Sequence, residues 1–242
     1  MKALVLCAGF GTRLGALTTA LPKPMLPLCG EPLLAHTLRQ LSSQGFTDVA
    51  VNLHFLPSTI IDYFGDGSAF KLRLRYSHED RLLGTAGALK KLESFFADAE
   101  DFLVLYGDVL TNQDLRALAA YHVAKKALVT LTLHQRARSN SAVAMDDSGR
   151  IIRFVERPSE RTRAAVGGVW VNSGIQMLNR KVLSFIDAGR PSDLPRDVVM
   201  PLLHSEPIFG FRLTGDRIAI DSAERYQQAE QAVAGGMFRK TT

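Results

Sequence analysis

The stretch Lys2-Ala3-Leu4-Val5-Leu6-Cys7-Ala8-Gly9-Phe10-Gly11-Thr12-Arg13 decides the fold. Lys2 to Ala8 is a short, continuous apolar run that ends in glycines, the pattern of a strand buried on both faces. At the carboxyl edge of an open α/β sheet, glycines let backbone N–H groups approach phosphate oxygens, and Arg13 adds fixed positive charge. By its chemistry the loop is a phosphate cradle, although an ordinary strand-to-loop turn would also use such glycines. Two common nucleotide loops are excluded. Leu14 stands where a dinucleotide fingerprint needs a third glycine, and no Gly-Lys-Ser/Thr ending of a P-loop follows.

Working outward, Glu31 to Gly45 has helical spacing at Leu34, Leu38 and Leu41, with Gly45 as its stop. Val49 to Leu53 reads as a strand, Ser58 to Phe64 as a short helix, and Phe70 to Tyr76 as a strand after the turn Asp66-Gly67. A helix from Ala86 to Phe96 precedes the apolar strand Phe102 to Tyr106, and another helix runs from Gln113 to Lys125. This alternation predicts an α/β fold, Rossmann-like, whose sheet is mainly parallel with helices on both faces. The second half adds strands at Leu128 to His134, Ala142 to Met145, Ile151 to Val155 and Val166 to Leu178. Helices are expected near Lys181 to Asp187, Pro195 to Leu203 and Ser222 to Ala234.

The expected organisation is a single domain over residues 1–234. Its half to about residue 125 binds nucleotide, its half from about 126 completes the second substrate's site, and 235–242 form a frayed tail. No hexapeptide repeat of a β-helix is present.

With 46% hydrophobic and 22% charged residues, the composition is that of a globular chain and excludes a disordered one. The first apolar run is too short for a signal segment or a membrane span, so a cytoplasmic protein without a membrane partner is expected. Cys7 and Cys29 lack metal-ligand spacing and cannot form a disulfide framework; both are expected reduced and buried. The net charge of +5 comes without a basic run interleaved with aromatics, which argues for small anionic substrates rather than nucleic acid. Between Arg136 and Arg163 there are seven arginines and no lysine, a stretch suited to a phosphate or to a solvated face. Homo-oligomerisation is compatible with the sequence and not fixed by it.

Leu21-Pro22-Lys23-Pro24-Met25 then strengthens the cradle reading, because two prolines restrict the backbone around one lysine and present its ammonium at a defined place. The combination of Gly-x-Gly-Thr-Arg-Leu with Pro-Lys-Pro-Met resembles the signature of the sugar-1-phosphate nucleotidyltransferases. Leu83-Gly84-Thr85-Ala86-Gly87 is similar to the base-binding loop of their mannose-1-phosphate guanylyltransferase branch. Tyr106-Gly107-Asp108, Phe154-Val155-Glu156-Arg157-Pro158 and Val171-Asn172-Ser173-Gly174-Ile175 extend the resemblance over nearly the whole chain.

The resemblance implies the nucleotide-diphospho-sugar transferase fold and transfer from a nucleoside triphosphate, GTP favoured, to a sugar 1-phosphate, with Mg2+ as cofactor. It assigns the nucleotide to Ala8, Gly9, Gly11, Thr12, Arg13, Lys23, Gly84, Thr85, Ala86 and Gly107, and the sugar phosphate to Glu156, Arg157, Asn172 and Gly174. Arg13, Lys23 and Asp108 are the catalytic candidates. Fixed cations stabilise the charge that gathers on phosphate oxygens, and Asp108 would bind the metal as a hard ligand. Asp108 could instead cap a following helix. No general base is needed, since a phosphate monoester with a second pKa of about 6 is already mostly a dianion at neutral pH.

Two departures stand out. Arg157 replaces a lysine common in the family, which keeps the charge and changes the donor geometry. Near the C-terminus, where the family carries a second metal-binding Asp, the chain reads Ile218-Ala219-Ile220-Asp221-Ser222. An ungapped alignment puts Ala219 at that position and a two-residue deletion puts Asp221 there; Asp221 is the favoured ligand. Uridylyl or thymidylyl transfer, a nucleotide-sugar-binding regulator without turnover, and a phosphocholine cytidylyltransferase using Trp170 are the alternatives.

Overall fold

A computed structural model describes the chain apart from residues 137–138, 167–169 and 239–242 and the side chains of Arg13 and Ala16. It has the expected α/β architecture, a mixed, mainly parallel central sheet with helices. The chain forms two compact units. One gathers Met1–Leu82, Leu105–Asp114 and Gly215–Thr242, the other Leu83–Val104 and Leu115–Thr214.

In the first unit, strand Lys2–Leu6 pairs in parallel with Asp48–Leu53, which pairs in parallel with Arg73–His78. Ala3, Leu4 and Val5 are fully buried, as an apolar run without alternation requires. Helix Leu33–Ser43 buries Leu34, Leu38 and Leu41, and Gly45 follows it with φ of 87°. The helix starts two residues later than expected because Glu31–Pro32 pairs antiparallel with Pro27–Leu28. Ser68–Phe70 is a 3-10 turn, so the expected strand from Phe70 begins only at Arg73.

Like Pro27–Leu28 and Glu31–Pro32, the strands Val109–Thr111 and Arg217–Ala219, which pair antiparallel with each other, were not expected. They bring the C-terminal helix Ala223–Ala234 to a cluster of Leu14, Leu26, Leu28, Leu33, Leu110, Ile220 and Ala229. Each buried leucine there contributes roughly 2 kcal/mol by leaving water. The cluster thereby anchors the segments that carry Leu14 and Leu26. Of the expected tail, Gly235 and Met237 donate backbone N–H groups to Gln231 and Ala232, and Phe238 packs on the same cluster. Residues 239–242 lie outside the described ones. Both cysteines are free, but only Cys7 is buried; Cys29 sits exposed in a left-handed turn with φ of 50°.

In the second unit, Val129–Gln135 pairs antiparallel with Trp170–Asn179 and in parallel with Ile208–Arg212, while Ser141–Met145 pairs antiparallel with Ile151–Glu156. Ile208–Arg212 was not expected as a strand. The expected strand from Val166 begins only at Trp170. Glu160–Val166 is a helix whose Arg163 donates to the main-chain carbonyls of Ser139 and Ser141, and 167–169 lie outside the described residues. The long helix expected from Ala86 is shorter, Gly84–Lys91 followed by a 3-10 turn, Glu93–Phe96. Pro195 sits at the start of a π-helical stretch, Leu194–Val199, rather than in a regular helix. No described helix is long and apolar enough to cross a membrane.

Candidate active site

The first strand delivers Cys7 and Ala8, both buried, to an exposed loop at Gly9 and Phe10. Gly11 is the glycine the loop requires. Its φ is 68°, and a Cβ there would meet Thr18 Cγ2 at 3.1 Å and Lys23 Cβ at 3.3 Å. Nothing stands within 4 Å of a Cβ at Gly9, so packing does not require glycine there. Thr12 opens a 3-10 stretch, Thr12–Thr18, and the Thr18 hydroxyl donates to the carbonyls of Gly11 at 3.0 Å and Gly15 at 3.3 Å. Arg13 belongs to this stretch, and its side chain lies outside what the structure describes.

Pro22, with φ of −66° and ψ of 143°, leads into a 3-10 turn, Lys23–Met25, in which Met25 N donates to Pro22 O at 2.8 Å. Pro24 and Met25 are buried, which holds the turn down. The Lys23 ammonium donates to Asp108 Oδ2 at 2.7 Å, with side-chain exposures of 11% and 26%. Asp108 is followed by strand Val109–Thr111, so it does not cap a helix. Gly107 before it is obligatory for packing: its N donates to Leu6 O at 2.9 Å, and a Cβ would fall 2.6 Å from Cys7 Sγ and 2.7 Å from Leu6 O.

Ile220 N donates to Asp108 O at 2.8 Å, and Ala219 is the ladder partner of Val109. Both candidates for the second metal position thus flank a residue bonded to the main chain of Asp108. Asp221 Oδ1 lies 3.7 Å from Arg225 Nε, and the helix cap is the Ser222 hydroxyl, which accepts from Arg225 N. Asp221 therefore does not cap that helix.

A carboxylate is the donor Mg2+ prefers, and Asp108 would supply one here. The Lys23 ammonium already stands as a cation against the Asp108 carboxylate. Among the described residues no group of three or more His, Cys, Asp or Glu could hold a metal ion. A hard ion that takes one or two carboxylates and completes its shell with phosphate oxygens and water matches that environment.

A buried network beneath the loop escaped the sequence reading. Cys7 N donates to Asn52 Oδ1 and Asn52 Nδ2 to Glu79 Oε1, both at 2.8 Å, and the His54 ring nitrogen Nδ1 lies 2.6 Å from Glu79 O. Phe10 stands edge-on to His54 at 5.0 Å. A lone Asn in the apolar strand Asp48–Leu53 was the available signal. Burial, then the charge of Asp108, pushes the Cys7 thiol far up, so it stays protonated and is no nucleophile.

In the second unit, Gly84 has φ of 72° and opens helix Gly84–Lys91; a Cβ there would fall 2.4 Å from Ser192 O. Thr85 is half-buried, its hydroxyl accepting from Leu194 N at 2.7 Å, and Ala86 is buried. Glu156 ends strand Ile151–Glu156. Burial, and then the charge of Asp193, push its carboxyl up to about 7 against the opposing pull of Arg157 and Arg196. Arg157 is exposed in the left-handed region at φ of 47°, held by its N donating to Asn140 O at 2.7 Å.

Asn172 N donates to Ser141 Oγ at 2.9 Å, and its Oδ1 accepts from Gly174 N at 3.0 Å, which fixes the amide. Gly174, with φ of 77°, lies where the register to the neighbouring strand shifts. Three arginines of the basic stretch are spent on main-chain carbonyls: Arg150 on Glu206, Arg153 on Ala165 and Arg163 on Ser141. The Arg212 guanidinium lies 5.5 Å above the Trp170 ring, which disfavours that ring as a site for a quaternary ammonium.

Each unit therefore assembles part of the candidate set: Gly11, Lys23, Gly107 and Asp108 in one, with Asp221 directly after Ile220, whose N bonds Asp108 O, and Gly84, Thr85 and Glu156 around Ser192–Asp197 in the other. The sequence profile of the nucleotidyl transferase family matches residues 2–206. A UTP–glucose-1-phosphate uridylyltransferase of Synechocystis sp. is 33% identical over 248 residues, covering 96% of this chain and 63% of that protein. A mannose-1-phosphate guanylyltransferase of Mycobacterium tuberculosis is 34% identical over 205 residues, covering 84% of this chain and 55% of that protein. The chain thus spans less than two thirds of the length of either. A putative glucose-1-phosphate thymidylyltransferase from Bacillus anthracis shares the fold, with a TM-score of 0.84 at 21% identity, covering 96% of this chain and 94% of that one.

Proposed function

Because the chain belongs to the nucleotidyl transferase family, we propose that it transfers a nucleotidyl group from a nucleoside triphosphate to a sugar 1-phosphate, making a nucleotide sugar and releasing pyrophosphate. The observation that carries the reading is the Lys23–Asp108 pair at 2.7 Å beside Gly11. It sets a fixed cation and a hard anionic ligand at the mouth of a glycine loop, the parts that displacement at a phosphorus needs.

In this reading a phosphate oxygen of the sugar 1-phosphate attacks the α-phosphorus, and the bond to pyrophosphate breaks. The attacking group is already anionic, so no residue has to remove a proton. Backbone N–H groups of Gly9, Gly11 and Thr12, with Arg13, hold the triphosphate, and Lys23 neutralises charge on the reacting phosphate without reorganising. Asp108 orients Lys23 and, with Asp221, would hold Mg2+, which when bound offsets charge on the phosphate oxygens. Glu156 and Asn172 receive sugar hydroxyls, Arg157 grips the sugar phosphate, and Gly174 lets the ring approach the backbone. The proposed setting is the cytoplasm, with no nucleic acid or membrane partner.

GTP is the favoured donor, because Leu83-Gly84-Thr85-Ala86-Gly87 resembles the guanylyltransferase loop. UTP and dTTP are the alternatives, since a relative of comparable identity bears a uridylyltransferase name. The test is a panel of each triphosphate with Mg2+ and a set of sugar 1-phosphates, read as pyrophosphate release. Release with one pair identifies donor and acceptor. Binding without release from any pair overturns catalysis in favour of a nucleotide-sugar-binding regulator.

A further inference from the structure

The loop assigned to the nucleotide is shaped by a distant segment that no sequence motif singled out. Ser192 N donates to Leu83 O at 2.8 Å, and Ser192 O accepts from Ala86 N at 2.9 Å and Gly87 N at 3.2 Å. Those two amides are among the first of their helix, where N–H groups lack intrahelical partners, and here they are spent on a carbonyl instead of a ligand. Gly84 has no room for a Cβ because the same carbonyl stands 2.4 Å away. The Thr85 hydroxyl accepts from Leu194 N at 2.7 Å and donates to Asp193 Oδ2 at 3.4 Å.

Asp193 is itself fixed from several directions. Its Oδ1 accepts from Arg196 N at 3.3 Å, which caps the Leu194–Val199 stretch, and its own N donates to Asp197 Oδ2 at 2.7 Å. Asp197 is in turn gripped by the Arg196 guanidinium through bonds of 2.7 and 2.8 Å. A side chain constrained in this way passes its position on to what it touches.

We propose that Asp193 is a positioning residue of the transfer reaction: it holds the Thr85 hydroxyl, and with it the Gly84–Ala86 loop, in the conformation that receives the nucleotide. The inference rests on the reading of that loop as the nucleotide loop. The charge of Asp193 also bears on Glu156, so one carboxylate acts on a residue assigned to each substrate.

The test uses the full chain and compares Asp193→Ala, Asp193→Asn, Thr85→Val and Thr85→Ser by KM for triphosphate, KM for sugar phosphate, kcat and melting temperature. Asp193→Ala and Thr85→Val should each raise the triphosphate KM about fivefold, the scale of one ordinary hydrogen bond, with kcat little changed. Asparagine keeps one oxygen, enough to accept from Arg196 N, and loses the acceptor for the Thr85 hydroxyl, so it should hold the melting temperature near wild type yet raise the triphosphate KM toward that of alanine; serine keeps the hydroxyl and should restore a triphosphate KM near wild type. The double variant Asp193→Ala with Thr85→Val should lose no more than either single one. A merely structural role would lower the melting temperature and leave both KM values in place. A triphosphate KM within twofold of wild type in both Asp193→Ala and Thr85→Val overturns the proposal. Should Asp193→Ala fail to fold, Asp193→Asn takes its place, since it keeps the oxygen for Arg196 N and loses the acceptor for Thr85, and the same twofold criterion applies. Gly84→Ala separates this outcome from failure of the underlying reading, since its Cβ distorts the loop directly. If it leaves the triphosphate KM unchanged, the loop is not the nucleotide loop; if it raises that KM while Asp193→Ala and Thr85→Val do not, only the role of Asp193 falls.

Discussion

Gly107→Ala tests how the fold holds Asp108. The added Cβ would stand 2.6 Å from Cys7 Sγ and 2.7 Å from Leu6 O. Ordinary carbon contacts lie near 3.5–4.0 Å, so the overlap is about 1 Å on two sides. Cys7 is 6% exposed and has little room to turn away, and Leu6 O belongs to a strand already bonded to Gly107 N at 2.9 Å. Residue 107 must therefore move, and Asp108 moves with it. Overpacking of this kind costs about 2 kcal/mol, which for a protein of this size lowers Tm by about 4–8 °C. A displacement of about 1 Å at a reacting centre costs on the order of a hundredfold in turnover.

The assay is pyrophosphate release at saturating substrates, normalised to folded protein, beside a thermal scan. Cys7→Ala combined with Gly107→Ala removes the sulfur contact and leaves the carbonyl one, so it should recover part of the Tm loss and little of the rate. Wild-type turnover in Gly107→Ala would refute the reasoning. Full recovery of the rate in the double variant would show that the main-chain contact is not the constraint.

Asp108→Ala should leave a folded protein whose turnover falls by on the order of a hundredfold or more, since the proposed metal ligand and the partner of Lys23 vanish together; near-normal turnover refutes that role. Asp221→Asn should raise the Mg2+ concentration for half-maximal rate with little thermal shift, because Ser222 and not Asp221 caps the helix. If that variant leaves the Mg2+ dependence unchanged, the ligand position falls to Ala219, and Ala219→Asp should then tighten Mg2+ binding. The raised carboxyl of Glu156 predicts that sugar-phosphate affinity strengthens as pH rises through about 7, where the side chain becomes a full acceptor. Glu156→Gln should abolish that step while keeping the one near pH 6 that belongs to the substrate phosphate. The sign for stability is opposite. The folded state holds this proton more tightly than the unfolded chain, so the contribution of Glu156 is favourable at low pH and is lost as pH rises from its ordinary value of 4.5 toward 7.

What the sequence determined by itself is local. The buried strand at Lys2–Leu6, the helix Leu33–Ser43 with its glycine stop and the rigid Pro-Lys-Pro turn follow from hydrophobic period and backbone chemistry, which act over a few residues. The motifs also marked Lys23 and Asp108 separately. Their meeting, across 85 positions of chain, is decided only by the packing of strand and turn. The same holds for Asn52 with Glu79, for Thr85 with Asp193 at a separation of 108, and for the strands Val109–Thr111 and Arg217–Ala219 that bring Ile220 to Asp108. Short strands of three residues carry too little pattern to be read alone and exist because a distant partner completes their hydrogen bonds. Glu156 shows the limit most directly: its residue type suggested an acceptor, but burial and a carboxylate 37 positions away set its charge, and neither is a property of its sequence neighbours.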